Sequence, residues 1–176
     1  MNRMHYFMQQ TLQLAESALK QGELPIAAIV VLHDEIIAQA TTGEKQQKRF
    51  LAHAEMQALD MADRLHPFPG KRRDVTLYTN LEPCMMCMGA AMSFFLGEIV
   101  YGVESKSDGA VALAQSWQRD ESLFPGYQVP RVIGGVLRGE NGRLFQKYTQ
   151  LHPPGPMVDW AKSIAEQISG ENEVVT

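Results

Sequence analysis

The chain has 176 residues, of which 45% are hydrophobic, and its formal net charge at pH 7 is −4. This length suits one domain, and the apolar content is high enough for a substantial core and too high for disorder over most of the chain. The acidic balance excludes a broad basic footprint for a phosphate backbone, although a local basic groove is compatible with it. Only two cysteines are present, which is too few for a disulfide framework.

Apolar periodicity and turn residues predict helices that alternate with strands. In the first part of the chain we expect a helix at 1–20, strands at 26–32 and 36–40, a polar loop at 41–50, a helix at 51–65 and a strand at 75–79. The second part should contain a helix at 84–96, a strand at 98–103, a long, partly ordered loop with some helix at 104–127, a strand at 131–137, and helices at 140–151 and 157–168. The first two strands are joined too tightly for a parallel crossover and should be antiparallel. The alternation predicts an α/β fold, a three-layer α/β/α sandwich around a mixed five-stranded sheet.

Both cysteines lie in the segment NLEPCMMCMGA, as Cys84 and Cys87, at the start of a predicted helix. Pro83 suits a helix start, and the helix N-terminus stabilises thiolate charge. Thiolates at this spacing can converge on one ion, and together with an imidazole they select zinc. The alternative interpretation is a pair of buried thiols or a redox pair, but nothing else in the sequence indicates a thioredoxin-like unit.

The segment LAHAEMQAL supplies the best third ligand, His53. Three protein ligands leave a fourth position for water, which is typical of a catalytic zinc. Glu55 lies two residues further on, close enough to reach that water without being a ligand. A carboxylate there can take a proton and later give it to a leaving amine. These residues predict hydrolytic attack on an amidine-like carbon with loss of ammonia, whereas a core histidine and a solvated helix glutamate are the structural alternatives.

An H-x-E followed by P-C-x-x-C is the signature of zinc-dependent nucleobase deaminases. The chain has HAE and PCMMC, and also GELPIAAIVV, TLYTNLEPCMMCMGA and IVYGV. On these motifs, over residues 3–150, it resembles the cytidine/nucleoside deaminase superfamily, and within it the bacterial tRNA-specific adenosine deaminase-like nucleoside deaminases.

The resemblance implies a five-stranded sheet with Zn²⁺ held by His53, Cys84 and Cys87, and it implies that Glu55 is the proton shuttle. It also implies a homodimer or larger assembly. The substrate pocket is expected to include Ile26 and the backbone N–H of Ala54.

Three departures from the family pattern concern the substrate. Thr42 stands where the family usually has a substrate-contacting asparagine, and Ser93–Leu96 replaces a His-Ser-Arg-like segment of the tRNA enzymes. The tRNA enzymes often end in a basic helix, but here Lys162 is the only basic residue after Pro156. Fewer cationic contacts weaken nucleic-acid binding steeply at cellular salt, so tRNA is disfavoured relative to a free nucleobase or nucleoside.

Glu82 either contacts the substrate or orients its own loop, and the sequence favours neither. Residues 1–150 are expected to form the zinc-dependent deaminase domain, and residues 151–176 a C-terminal helix and polar tail packed on it or extending from it. No apolar run approaches the roughly 20 residues of a membrane span, and the N-terminus lacks the apolar segment of a signal peptide, which predicts a cytoplasmic protein without membrane contact.

The predicted function is hydrolysis of a C–N bond in a cyclic amidine by a zinc-dependent deaminase that acts on a free nucleobase, a nucleoside or a related heterocycle. One alternative keeps the chemistry and changes the substrate to the wobble adenosine of tRNA. A second alternative is a catalytically idle deaminase-fold subunit that binds a partner, and the intact Glu55 argues against it.

Overall fold

The computed structural model describes residues 2–65, 72–120 and 122–168. The elements, in chain order, are α1 (Arg3–Lys20), β1 (Ala27–Leu32), β2 (Glu35–Thr41), α2 (Glu44–Gln47), α3 (Ala54–Leu65), β3 (Val75–Leu81), α4 (Met85–Ser93), β4 (Glu98–Val103), α5 (Val111–Ser116), β5 (Arg131–Ile133), α6 (Arg138–Leu151) and α7 (Pro156–Glu166). The segment 66–71 after α3 lies outside the described residues, as does the predicted polar tail at 169–176.

The five strands form one sheet in the order β2-β1-β3-β4-β5. Strand β1 is antiparallel to both β2 and β3, whereas β4 is parallel to β3 and to β5. The tight β1–β2 turn uses His33 and Asp34 with positive φ angles of 49° and 65°. The mixed five-stranded α/β fold predicted from the sequence is therefore confirmed.

Side-chain alternation along β1 separates the two faces of the sheet. Ile29 and Val31 pack with Phe7 and Met8 of α1 on one face. On the other face, Ala28 and Val30 belong to a cluster that also contains buried residues of α3 and α4. Helix α6 contacts both α1 and β4, so α1 and α6 cover one side of the sheet and α3 and α4 the other.

The polar segment predicted as a loop contains the short helix α2, and this part of the prediction was wrong. The carboxylate of Glu23 accepts hydrogen bonds from the backbone N–H groups of Gln46 (2.6 Å) and Lys45 (3.4 Å). These first-turn donors have no partner inside the helix, so an acceptor from another segment stabilises a turn that is too short to persist alone. Glu23 is distant in sequence, and for this reason local composition did not indicate the helix.

The fifth strand is shorter than predicted and ends at Ile133 instead of position 137. Gly135 and Leu137 both have positive φ angles, 79° and 53°, which are incompatible with an extended strand. The chain turns at these residues and enters α6.

Helix α7 packs beside α6 at the edge of the sheet where β3 and β4 end. Phe145 and Tyr148 of α6 share a buried cluster with Ala161 and Ile164 of α7, and this cluster includes Leu81 at the end of β3. The C-terminal helix therefore lies next to the edge at which ligands bind in many α/β proteins. Within the described ranges, no helix combines the length and apolarity that crossing a membrane requires.

Substitution by alanine should change the free energy of unfolding in opposite directions at two glycines of this fold. A Cβ at Gly97 would lie 1.8 Å from the backbone oxygen of Arg73, whereas a Cβ at Gly89, inside α4, would meet nothing within 4 Å. We expect Gly97→Ala to lower the free energy of unfolding by about 1–3 kcal/mol through overpacking. Gly89→Ala should leave it unchanged or raise it by up to about 1 kcal/mol, because alanine is the better helix former. Urea titration measures both, and equal values for the two variants would contradict the packing described here.

Candidate active site

Three side chains with metal-binding atoms converge where α3 and α4 begin. His53 directly precedes α3, Cys84 caps α4, and Cys87 lies in the first turn of α4. The Nδ1 atom of His53 is 3.6 Å from each sulfur, and the two sulfurs are 3.6 Å apart. Among the described residues, these three form the one group of histidine, cysteine and acidic side chains compact enough to hold a metal ion.

The spacing of these three atoms fits zinc. With Zn–S bonds of about 2.3 Å and a Zn–N bond of about 2.0–2.1 Å, tetrahedral coordination requires sulfurs about 3.8 Å apart and sulfur–nitrogen distances of about 3.6 Å. The observed distances lie within about 0.2 Å of these values, which is the usual tolerance for a metal site. The donor set of two sulfurs and one imidazole is also one that zinc prefers.

Glu55 lies beside this group and is almost completely buried, with 3% of its surface exposed. Thr79 on β3 donates a hydrogen bond to Oε1 (3.0 Å), and Oε2 is 3.4 Å from the sulfur of Cys87. Burial raises the pKa of Glu55 above its usual range, and the bond from Thr79 opposes that rise only in part. A raised pKa brings a carboxyl group closer to the operating pH, which favours general acid–base catalysis.

The charges of the three potential ligands depend on one another. Hydrogen bonding with Cys87 lowers the pKa of Cys84 to about 4, and His53 adds to this effect. The same contact, together with burial, raises the pKa of Cys87. The bond to Cys84 raises the pKa of His53 to about 9, although burial acts in the opposite direction. The raised pKa values of His53 and Cys87 favour their protonated forms, so a metal ion that binds here must displace protons.

A cavity of about 250 Å³ opens in front of these side chains. It brings together all the residues that the sequence indicates for the site, except the deeply buried Cys87. The residues that line it are Leu24, Ile26, Thr42, Glu44, His53, Ala54, Glu55, Leu81, Glu82, Cys84, Asp108, Met157 and Trp160.

Hydrogen bonds of the backbone and of the Thr42 hydroxyl hold Thr42 and Ile26 on one wall of the cavity. The N–H of Thr42 donates to the carbonyl of Ile26 (2.9 Å), and the Thr42 hydroxyl lies 3.1 Å from Oε2 of Glu44 and 3.3 Å from the carbonyl of Ala52. Asn80, fully buried, accepts from the N–H of Ala27 and donates to the carbonyl of Pro25, both at 2.8 Å. This side chain fixes Ile26 relative to the end of β3.

Glu82 orients the loop that follows β4. Its two carboxylate oxygens accept backbone N–H bonds from Ser105 (3.0 Å) and Val111 (3.1 Å). Gly109 is pressed against the same carboxylate, where a Cβ would lie 2.3 Å from Oε2. These two bonds support the loop-orienting role, and because Glu82 also lines the cavity, contact with the substrate stays a prediction.

Several residues of the site were missed by sequence reasoning. Thr79 ends the segment TLYT, and its position on the strand before PCMMC could have indicated that it reaches the same edge. Glu44 comes from the short helix α2 and Asp108 from the loop after β4, and the sequence fixes the position of neither. Met157 and Trp160 reach the cavity through the packing of α7, where the indole N–H of Trp160 donates to Ser107 (3.0 Å). No motif in the sequence indicates this long-range contact.

Comparison with known proteins agrees with this geometry. Residues 1–103 match the family model of the cytidine and deoxycytidylate deaminase zinc-binding region. The tRNA-specific adenosine deaminase of Streptococcus pyogenes serotype M1 is 32% identical over 143 residues, which are 81% of each chain.

The fold has solved counterparts. A chain from a study of A-to-I editing by tRNA:A34 deaminases superimposes with a TM-score of 0.66 at 30% identity, over 79% of this chain and 98% of that one. A guanine deaminase from Nitrosomonas europaea has a TM-score of 0.62 at 23% identity, over 80% and 81% of the two chains, and at that identity it supports the fold alone. The chain thus belongs to the cytidine and deoxycytidylate deaminase family, and it is a hydrolytic deaminase of C–N bonds.

The role of Glu82 can be tested by removing its acceptor oxygens in steps. Glu82→Ala should lower the free energy of unfolding by about 2–4 kcal/mol, because two N–H groups lose a charged acceptor. Glu82→Gln retains one acceptor oxygen and should lose roughly half as much. Amide hydrogen exchange should accelerate at Ser105 and Val111 in both variants. Unchanged exchange at these two amides would contradict the loop-orienting role.

Proposed function

We propose that the protein is a zinc-dependent hydrolase that releases ammonia from an amino-substituted nucleobase, a nucleoside or a related heterocycle. The observation that carries the proposal is the contact of Nδ1 of His53 with both sulfurs at 3.6 Å, with the buried carboxyl of Glu55 beside them. His53, Cys84 and Cys87 would hold the ion, and Glu55 would remain outside its ligand set.

Zinc bound here would supply a water of lowered pKa and thus a nucleophile at neutral pH. The carboxyl of Glu55 would carry a proton from the attacking water to the ring nitrogen next to the amine-bearing carbon. A second proton passes through Glu55 to the amine, which leaves as ammonia while its C–N bond breaks and a C=O bond forms. The backbone N–H of Ala54, on the cavity wall, would orient the ring. Water and the amidine are consumed, and a carbonyl compound and ammonia are formed.

The charge of the cavity wall supports a free base or nucleoside as the substrate. Four of the lining residues are acidic, and none of the described residues that line the cavity is lysine or arginine. Phosphate groups bind where cationic side chains can pair with them, so this wall disfavours a nucleotide or a nucleic-acid backbone. Met157 and Trp160 add apolar surface to the cavity, and its volume of about 250 Å³ suits a small ligand.

The second candidate substrate is the wobble adenosine of tRNA, and the names of the relatives favour it. The streptococcal protein and the Bacillus subtilis protein are both tRNA-specific adenosine deaminases, and they match this chain at 32% and 31% identity. The acidic cavity wall and Thr42 argue against this substrate. The two candidates share the proposed chemistry. They differ in whether the amine-bearing ring belongs to a free base or nucleoside or to an adenosine of tRNA.

The homodimer implied by the resemblance stays a prediction. Exposed apolar side chains support an interface near the start of α3, where Phe50 is 90% and Leu51 60% exposed. Sedimentation of the purified protein tests it, because a monomer at micromolar concentration would contradict it.

The mechanism predicts that Glu55 is needed for turnover and is not needed for zinc binding. Glu55→Gln should bind one zinc per chain, while ammonia release falls by about 10²–10⁴-fold because the proton carrier is lost. Glu140→Gln, the same change at a half-exposed side chain on α6, should retain full activity. A Glu55→Gln protein with wild-type turnover, or one without zinc, would exclude the assigned role.

The substrate proposal predicts an order of activities. Zinc-loaded protein should release ammonia from at least one free aminopurine, aminopyrimidine or corresponding nucleoside at a higher kcat/KM than from an anticodon stem-loop. Because no cationic contact at the cavity wall is expected, this activity should depend little on salt. A preference for the stem-loop that weakens steeply with salt would instead identify tRNA as the substrate.

A further inference from the structure

We infer that Glu44 is a positioning residue for His53, whose imidazole it orients so that Nδ1 faces the two cysteine sulfurs. The inference rests on the proposed zinc function and adds a residue that no motif of the chain indicates. Glu44 begins α2, the short helix that the sequence did not predict.

The two nitrogens of His53 face different partners. Nδ1 lies 3.6 Å from both sulfurs, whereas Nε2 lies 3.5 Å from Oε1 of Glu44. This contact is about 0.5 Å longer than a typical N–H···O bond, and a small rotation of either side chain would close it. A histidine that binds a metal through one nitrogen usually donates the N–H of the other to a carboxylate or a carbonyl, which fixes its tautomer and ring orientation.

Glu44 is itself held in place. Its Oε2 is within hydrogen-bonding distance of the Thr42 hydroxyl (3.1 Å), and the first turn of α2 is anchored by Glu23, which is only 4% exposed. The ammonium of Lys45 donates to the carbonyl of Gly22 (3.2 Å), which ties α2 to the end of α1. The carboxylate therefore occupies a fixed position behind the imidazole, as precise orientation of a ligand requires.

Glu44 is not placed to be a fourth ligand. It lies on the Nε2 side of the imidazole ring, whereas a metal shared with the sulfurs lies on the Nδ1 side. Its oxygens also fall outside the compact group formed by His53, Cys84 and Cys87. The side chain thus acts on the metal only through His53.

The zinc affinity of variants tests the inference without measuring turnover. Glu44→Ala should weaken zinc binding about 10–100-fold in chelator competition, as is usual when the partner of a metal-binding histidine is removed. Glu44→Gln keeps an oxygen that accepts the N–H and should lose less than about tenfold. Glu35→Ala, at an exposed position on β2, should retain wild-type affinity.

NMR of the zinc-loaded wild type provides a test that does not depend on any variant folding. The inference predicts that His53 carries its proton on Nε2 and binds zinc through Nδ1. It is overturned if zinc binds through Nε2, if Glu44→Ala binds zinc as tightly as the wild type, or if Glu44→Ala and Glu44→Gln lose equally. A wild-type protein that binds no zinc would overturn the proposed function itself, which distinguishes the two failures.

Discussion

The site depends on one contact, that of the His53 imidazole with the sulfurs of Cys84 and Cys87. These partners are 31 and 34 positions apart in the chain, so only the sheet can bring them together. Strand β1 pairs with β2 on one side and with β3 on the other, and the ends of β2 and β3 therefore meet at one edge. Helices α3 and α4 begin at this edge, and the three ligands lie at or just before their N-terminal ends. Asn80 ties the start of β1 to the end of β3 and fixes that register locally.

The meeting of α3 and β3 at this edge also buries the carboxyl of Glu55, which contributes little to the stability of the fold. Glu55 accepts a hydrogen bond from the Thr79 hydroxyl and lies 3.4 Å from the Cys87 sulfur, and burial raises its pKa. Burying a carboxyl group with so few partners is unfavourable for folding, and a buried apolar residue would be more stabilising at this position. Proton transfer explains the presence of Glu55 at this position, because its carboxyl lies beside the Cys87 sulfur, which would hold the metal. Clusters of acids and thiols with shifted pKa values are typical of active sites.

The central part of the site could be predicted from the sequence because its residues lie in short motifs with fixed local geometry. HAE and PCMMC each place their side chains at the N-terminal end of a helix, and alternating helices and strands bring such helix ends to one sheet edge. The rest depended on distant contacts. Glu23 stabilises α2 and thereby places Glu44, and the packing of α7 on α6 brings Trp160 to the cavity. Neither contact can be recognised from the residues near it in the sequence, so the short helix α2 and the cavity wall formed by α7 were not predicted.

X-ray absorption of the zinc-loaded protein tests the central claim most directly. The account predicts two sulfurs at about 2.3 Å and two nitrogen or oxygen neighbours at about 2.0–2.1 Å, one from His53 and one from solvent. The same shell should be present in Glu55→Gln, because Glu55 is not a ligand. A spectrum without sulfur, or a Glu55→Gln protein that loses one of the lighter neighbours, would contradict the arrangement of three protein ligands and a separate proton carrier.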